Sequence, residues 1–144
     1  MRGLLMWLLA FCLPMMSPSV AMTGLRINEV MVCNTLTLQD DDGAWSDWIK
    51  LHNDGSTKTP LLGLSLNDVL ESPQRWFVPN TNLMPGAQVI IFASCKDRQD
   101  LQLPWHSNFK LAASETLALC RGDEILEQWR LSHAPSDISQ GKDL

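Results

Sequence analysis

The chain contains no tyrosine, only three histidines and fewer basic than acidic residues. His52, His106 and His133 stand far apart and no Cys-x-x-Cys pair occurs, so neither a zinc framework nor a thioredoxin-like site is indicated. Eleven Lys and Arg side chains against 16 Asp and Glu give a net charge of −5. Because an acidic surface repels phosphate groups, we expect no general binding to nucleic acid or to anionic membranes.

The sequence also lacks an apolar run of the roughly 20 residues that a transmembrane helix requires. Its clearest apolar run, residues 4–13, follows Arg2 and precedes Pro14 and a stretch of small residues that ends at Ala21. This is the layout of a secretory signal peptide. We therefore predict a signal peptide at residues 1–21, cleavage after Ala21, a secreted or periplasmic location and a mature chain without a transmembrane span.

The remaining 123 residues, 22–144, have the size of one domain. Three cysteines stay in this part, Cys33, Cys95 and Cys120. We interpret them as small hydrophobic residues, with a single disulfide among the three as the alternative, since export permits disulfides but the sequence does not select a pair.

Short apolar or alternating runs recur along the mature chain and are separated by Gly, Pro, Asn and Asp, a pattern typical of an all-β sandwich. The alternation places Ile49 and Leu51 on one face of a strand and Trp48 on the other. Residues 89–92 are apolar on both faces, which predicts a central strand. The predicted strands are 26–33, 47–53, 61–66, 74–78, 87–93, 116–121 and 125–131, followed by a polar tail that either forms an edge strand or stays loose.

A set of sequence blocks follows in a fixed order along the chain. They are INEVM at 27–31, DDDG at 40–43, SDWIKLHN at 46–53, LGLSLND at 62–68, RWFVP at 75–79, FAS at 92–94 before KDR at 96–98, and HSNFKL at 106–111. In this order they resemble the blocks of exported bacterial lamin tail domains. The resemblance spans residues 27–142, with a closing SQGK at 139–142 in place of a Ser-Tyr-Gly-Arg motif. His52 stands where the family commonly has Tyr, and Leu64 where it has Trp or Tyr.

The resemblance implies an immunoglobulin-like β-sandwich of about seven to nine strands, with a domain core at about 26–142. Because the family is one of interaction modules, it implies an exported, non-catalytic binding module that contacts a protein or a cell-envelope polymer. The alternative is an accessory part of an exported hydrolase or nuclease system that binds its substrate or the cell wall.

One carboxylate cluster, Asp40, Asp41 and Asp42 with Asp47 nearby, is a candidate metal site, because calcium binds several oxygen ligands. Asp is also a common turn residue, and no Glu stands at the twelfth position of an EF-hand register. We therefore expect a solvated turn and no cofactor, and retain calcium as the alternative.

Candidate partner contacts are Trp45, Trp48, His52 and Trp105, because tryptophan stacks on sugars and anchors protein interfaces. Packing is the competing interpretation for Trp45 and Trp105, and a loop that covers the side chain is the competing one for Trp48. Ser65 lacks the second glycine of a nucleophile elbow, so no catalytic residue is indicated and we expect no enzyme activity.

Overall fold

The computed structural model describes residues 24–68, 75–102 and 104–142, and within them every regular element is a β-strand. The predicted signal peptide and Gln74, the first residue of a predicted strand, lie outside the described residues. Eleven strands follow one another along the described chain: β1 Leu25–Met31, β2 Asp47–Asn53, β3 Thr59–Pro60, β4 Leu64–Asn67, β5 Trp76–Phe77, β6 Asn82–Leu83, β7 Gln88–Ala93, β8 Trp105–His106, β9 Thr116–Arg121, β10 Glu124–Arg130 and β11 Gln140–Gly141.

The first sheet has five strands in the order β11-β1-β2-β7-β8. Its centre is the antiparallel pair β2 and β7, in which Ile49 lies opposite Ile91 and Leu51 opposite Val89. The central position predicted for residues 89–92 is confirmed, since β7 lies between β2 and the parallel strand β8. Both edges of β7 are therefore paired within the sheet.

The second sheet has four strands in the order β10-β9-β4-β5, and a separate two-stranded ribbon joins β3 to β6. Leu66 of β4 and Leu119 of β9 lie opposite each other and are fully buried. They belong to one hydrophobic cluster that also contains Ile27, Ile49 and Ile91 of the first sheet. The fold is thus all-β and consistent with a β-sandwich, because a single core joins the inward faces of both sheets.

The sequence pattern predicts the longer strands well. The structure gives β2 and β9 the predicted bounds, and the other long strands differ from prediction by a few residues at their ends. It adds β3, β6 and β8, each of two residues, which the sequence analysis did not predict. The polar tail does form an edge strand, since Gln140 pairs with Val30 of β1.

Cys33, Cys95 and Cys120 are free thiols. Cys120 is buried in β9, as the interpretation of a small hydrophobic residue requires, whereas Cys33 and Cys95 are exposed. Within the described ranges, no helix has the length and apolar character needed to cross a bilayer.

Asn53, the last residue of β2, connects three chain segments through hydrogen bonds of its side chain. Its side chain is fully buried and donates hydrogen bonds to the carbonyl oxygens of Thr57 and Leu83, at 2.8 and 2.9 Å. Its Oδ1 accepts a hydrogen bond from the amide of Gly55 at 3.1 Å. An amide side chain is required here, because only an amide donates two hydrogen bonds and accepts another at the same position.

The substitution Asn53→Asp should lower the free energy of unfolding by about 3 kcal/mol or more, since it buries a charge that faces two carbonyl oxygens. Urea denaturation measures the change. Asn80→Asp is the matched control, because Asn80 is exposed and its variant should stay within about 0.5 kcal/mol of the wild type. Equal stability of the two variants would contradict this role of Asn53.

Candidate functional site

The outward face of the first sheet carries a second, smaller hydrophobic cluster. Met31, Trp48 and Phe92 are buried there, with Leu38 and Ile90 packed against them. Since Leu38 belongs to the segment between β1 and β2, this segment covers the sheet. Trp48 is therefore a packing residue, and the structure removes it from the predicted contact surface.

Asp40 organises the covering segment from within. Its side chain has no exposed area, and its Oδ1 accepts hydrogen bonds from the amides of Asp42 and Ala44, both at 3.0 Å. Its Oδ2 accepts hydrogen bonds from Ser46 at 2.8 Å and from the ammonium of Lys96 at 2.6 Å. Burial alone would raise the pKa of Asp40, but these hydrogen bonds outweigh it and lower the pKa to about 2.

Asp41 and Asp42 face cationic and imidazole groups of a segment far along the chain. Arg98 bridges the two carboxylates, at 3.0 Å from Asp41 and 2.7 Å from Asp42, and Lys96 lies 2.6 Å from Asp42. Hydrogen bonds from Lys96 and Arg98 lower the pKa of Asp42. The sequence did not predict Arg98 as a partner, because it lies 57 residues beyond Asp41 and 56 beyond Asp42.

The four predicted metal-site residues do not converge. Carboxylate oxygens of Asp40, Asp41 and Asp42 lie within 4.8 Å of one another, but Asp47 is not part of this group. Asp47 Oδ1 instead accepts hydrogen bonds from the amides of Cys33 and Asn34, both at 2.8 Å. Its burial raises the pKa of Asp47 in spite of these two hydrogen bonds. Calcium binding stays the alternative, in which the ion would compete with Lys96 and Arg98 for the same oxygens.

A chain of hydrogen bonds runs from Ser94 through His106 to Asp41. Ser94 Oγ lies 2.8 Å from His106 Nδ1, and His106 Nε2 lies 2.7 Å from Asp41 Oδ1. His106 is fully buried and stacks on Phe92 with 5.3 Å between ring centroids. In the serine protease triad Nε2 meets the hydroxyl and Nδ1 the carboxylate, so the ring is reversed here. The arrangement fixes the direction in which the Ser94 hydroxyl points.

A cleft of about 340 Å³ lies next to these hydrogen bonds. Ser46 and Ser94 belong both to the buried network and to the wall of the cleft, so the network holds the cleft in shape. Lys110, exposed and paired with Ser94 in an antiparallel bridge, lies at its margin. The lining residues are Ala44, Trp45, Ser46, Asp47, Ala93, Ser94 and Lys110.

Trp45 is the predicted contact residue that the structure places in this cleft, with 41% of its surface exposed. Trp105 is buried in β8 and belongs to the main core, so packing is its role. His52 is half-buried at the end of β2 and does not line the cleft. Ser94, His106 and Lys110 were missed as site residues, because nothing in their local sequence indicates that β7 and β8 bring them close to the segment between β1 and β2.

The pH dependence of stability should report the role of Asp40. Because folding lowers the pKa of Asp40 from 3.8 to about 2, its contribution is complete above pH 4 and is lost as the pH falls towards 2. Asp40→Asn should cost about 2 kcal/mol at pH 6 and progressively less below pH 4. Urea denaturation from pH 2 to pH 7 measures both proteins. A difference that does not change with pH would contradict the ionised role of Asp40.

Calcium should leave the thermal stability unchanged, because Lys96 and Arg98 already neutralise the oxygens that the ion requires. Melting curves in calcium chloride and in EGTA, at equal ionic strength, make the comparison. A melting temperature that rises by several degrees with calcium, and does not rise with magnesium, would show that the ion displaces these side chains.

Comparison of the chain with models of protein families, with curated proteins and with solved structures finds no match. Support for a function therefore comes from the sequence of this chain and from the geometry that brings Trp45, Asp47, Ser94 and Lys110 into one cleft.

Proposed function

We propose that this protein is an exported, non-catalytic binding module with an immunoglobulin-like fold of the lamin tail type. The ordered sequence blocks between residues 27 and 142 and the all-β architecture with one shared core support the fold. The signal-peptide pattern of residues 1–21 supports export. The partner is a protein or a polymer of the cell envelope.

The observation that carries the proposal is the exposed indole of Trp45 at a cleft held by buried polar contacts. The other tryptophans of the described chain are buried or half-buried, with Trp129 lying under the ammonium of Lys142 at 5.0 Å. Exposed aromatic side chains on rigid supports are the usual anchors of binding surfaces. The segment that carries Trp45 is such a support, because the buried carboxylate of Asp40 accepts hydrogen bonds from its backbone amides. Binding a partner therefore costs little conformational entropy there.

The polar contacts of Ser94 also agree with binding and not with catalysis. Its base, His106, is fully buried, and the orienting carboxylate of Asp41 is shared with the guanidinium of Arg98. Sharing the carboxylate weakens its support for a protonated imidazole, on which a nucleophilic serine depends. A stable adduct at Ser94 after treatment with a fluorophosphonate would contradict the non-catalytic part of the proposal.

The substitution Trp45→Ala should weaken binding to the isolated cell-envelope fraction of the native host at least about tenfold, because it removes the anchor of the contact surface. Co-sedimentation of the purified protein measures the affinity. The melting temperature should change little, since the side chain is exposed.

Phe77→Ala is the matched control, because Phe77 is an exposed aromatic residue of the second sheet with 53% of its surface accessible. This variant should bind the envelope fraction like the wild type. Equal binding by the Trp45 and Phe77 variants, or no binding by the wild type, would contradict the proposed function.

A further inference from the structure

We infer that the ligand held by the Trp45 cleft is an uncharged, hydroxyl-rich saccharide. The inference rests on the proposed function, since it names the ligand class of the same surface. A volume of about 340 Å³ falls within the range of small-ligand pockets, roughly 300–1,000 Å³. Three features of the lining select the ligand: one aromatic face, two hydrogen-bond acceptors and one cationic donor.

The aromatic face belongs to Trp45. Its large π-surface is accessible at the cleft, while its chain neighbours Ala44 and Ser46 are small and leave room beside it. A flat apolar surface next to polar groups suits a sugar ring, whose faces carry C–H bonds and whose rim carries hydroxyl groups.

The first acceptor is the carboxylate of Asp47. Its Oδ1 is occupied by the amides of Cys33 and Asn34, which hold the side chain in place. Among the described residues, no group donates a hydrogen bond to its Oδ2, although the charge of Lys110 acts on this carboxylate. An oriented carboxylate with one oxygen available accepts hydrogen bonds from hydroxyl groups of a ligand.

The second acceptor is Ser94. Whether its hydroxyl donates or accepts in the cleft follows from its hydrogen bond to His106. The Asp41 carboxylate accepts from His106 Nε2, so a neutral ring carries its hydrogen on Nε2 and a lone pair on Nδ1. With this tautomer, the Ser94 hydroxyl donates to Nδ1, at 2.8 Å. Its oxygen lone pairs remain for the ligand, so Ser94 accepts hydrogen bonds in the cleft.

The two hydrogen-bond acceptors in the cleft, Asp47 and Ser94, disfavour anionic ligands. A carboxylate or phosphate would have to lie against the acceptors of Asp47 and Ser94, and the single positive charge of Lys110 is balanced by Asp47. A sugar meets no such conflict, since each hydroxyl both donates and accepts: it donates to the two acceptors and accepts from Lys110. The chemistry therefore favours a neutral saccharide over an acidic peptide.

The test titrates the ¹⁵N-labelled protein with cellotriose, maltotriose and an N-acetylglucosamine trimer, with a hexaglutamate peptide as the anionic probe. At least one saccharide should cause saturable shifts of the Trp45 indole and of the Ser94 and Lys110 amides, with a Kd of roughly 1 mM or tighter. The hexaglutamate peptide should cause none.

Substitutions then test each part of the cleft. Trp45→Ala should abolish saccharide binding, and Asp47→Asn and Ser94→Ala should each weaken it about tenfold, the effect of losing one well-placed hydrogen bond. Ser56→Ala is the matched control and should bind like the wild type, because Ser56 is exposed and does not line the cleft. Should Asp47→Asn fail to fold, Ser94→Ala still decides the question, provided that its spectrum retains the wild-type dispersion.

The outcomes separate this inference from the proposed function. If envelope binding depends on Trp45 but no saccharide shifts the spectrum, or hexaglutamate shifts it more strongly, the saccharide is not the ligand. The proposed binding module then still stands. Saccharide shifts in the cleft without envelope binding support the ligand class and contradict the proposed envelope partner. Saccharide binding that the Trp45 and Ser94 variants retain overturns the assignment of the cleft.

Discussion

Strand β7 is apolar on both faces, Trp48 of β2 lies beside it on the outward face, and this constraint determines the structure around them. Ile49 and Ile91 on the inward face pack against the second sheet. Trp48 and Phe92 on the outward face require a cover of their own, because leaving such large side chains in water would cost roughly 2 kcal/mol or more each. The segment between β1 and β2 is therefore part of the fold, packed through Leu38, and not a free connection.

Covering the sheet brings polar groups into the same layer, and these must be paired. Asp40 is buried and would be strongly destabilising without Lys96 and the backbone amides that it accepts from. His106 stacks on Phe92 and joins the acidic segment to Ser94. The cover is thus held by directional contacts at many points, which explains how a loop presents Trp45 on a rigid surface.

The sequence predicts what depends on local periodicity. The bounds of β2 and β9 follow from alternation along six or seven residues, whereas β8 and β11 have two residues each and offer no period to detect. The sequence shows the acidic cluster but not the side chains that bind it, because His106 stands 65 residues beyond Asp41. The sequence also could not show that Asp47 stands apart from the cluster. Its carboxylate accepts hydrogen bonds from the amides of Cys33 and Asn34, which lie at the other end of the segment between β1 and β2.

The edges of the sheets bear on the proposed binding function. The first sheet ends in the two-residue strands β11 and β8, which are too short to template an added strand. The long edge strand β10 contains a bulge, and its Glu127 accepts a hydrogen bond from the amide of Ile27 at 2.7 Å and pairs with Lys142. Bulges and charges protect a strand against pairing with another chain. The binding proposed for this protein is therefore expected to use side chains, and the Trp45 cleft presents aromatic and polar side chains on a fixed support.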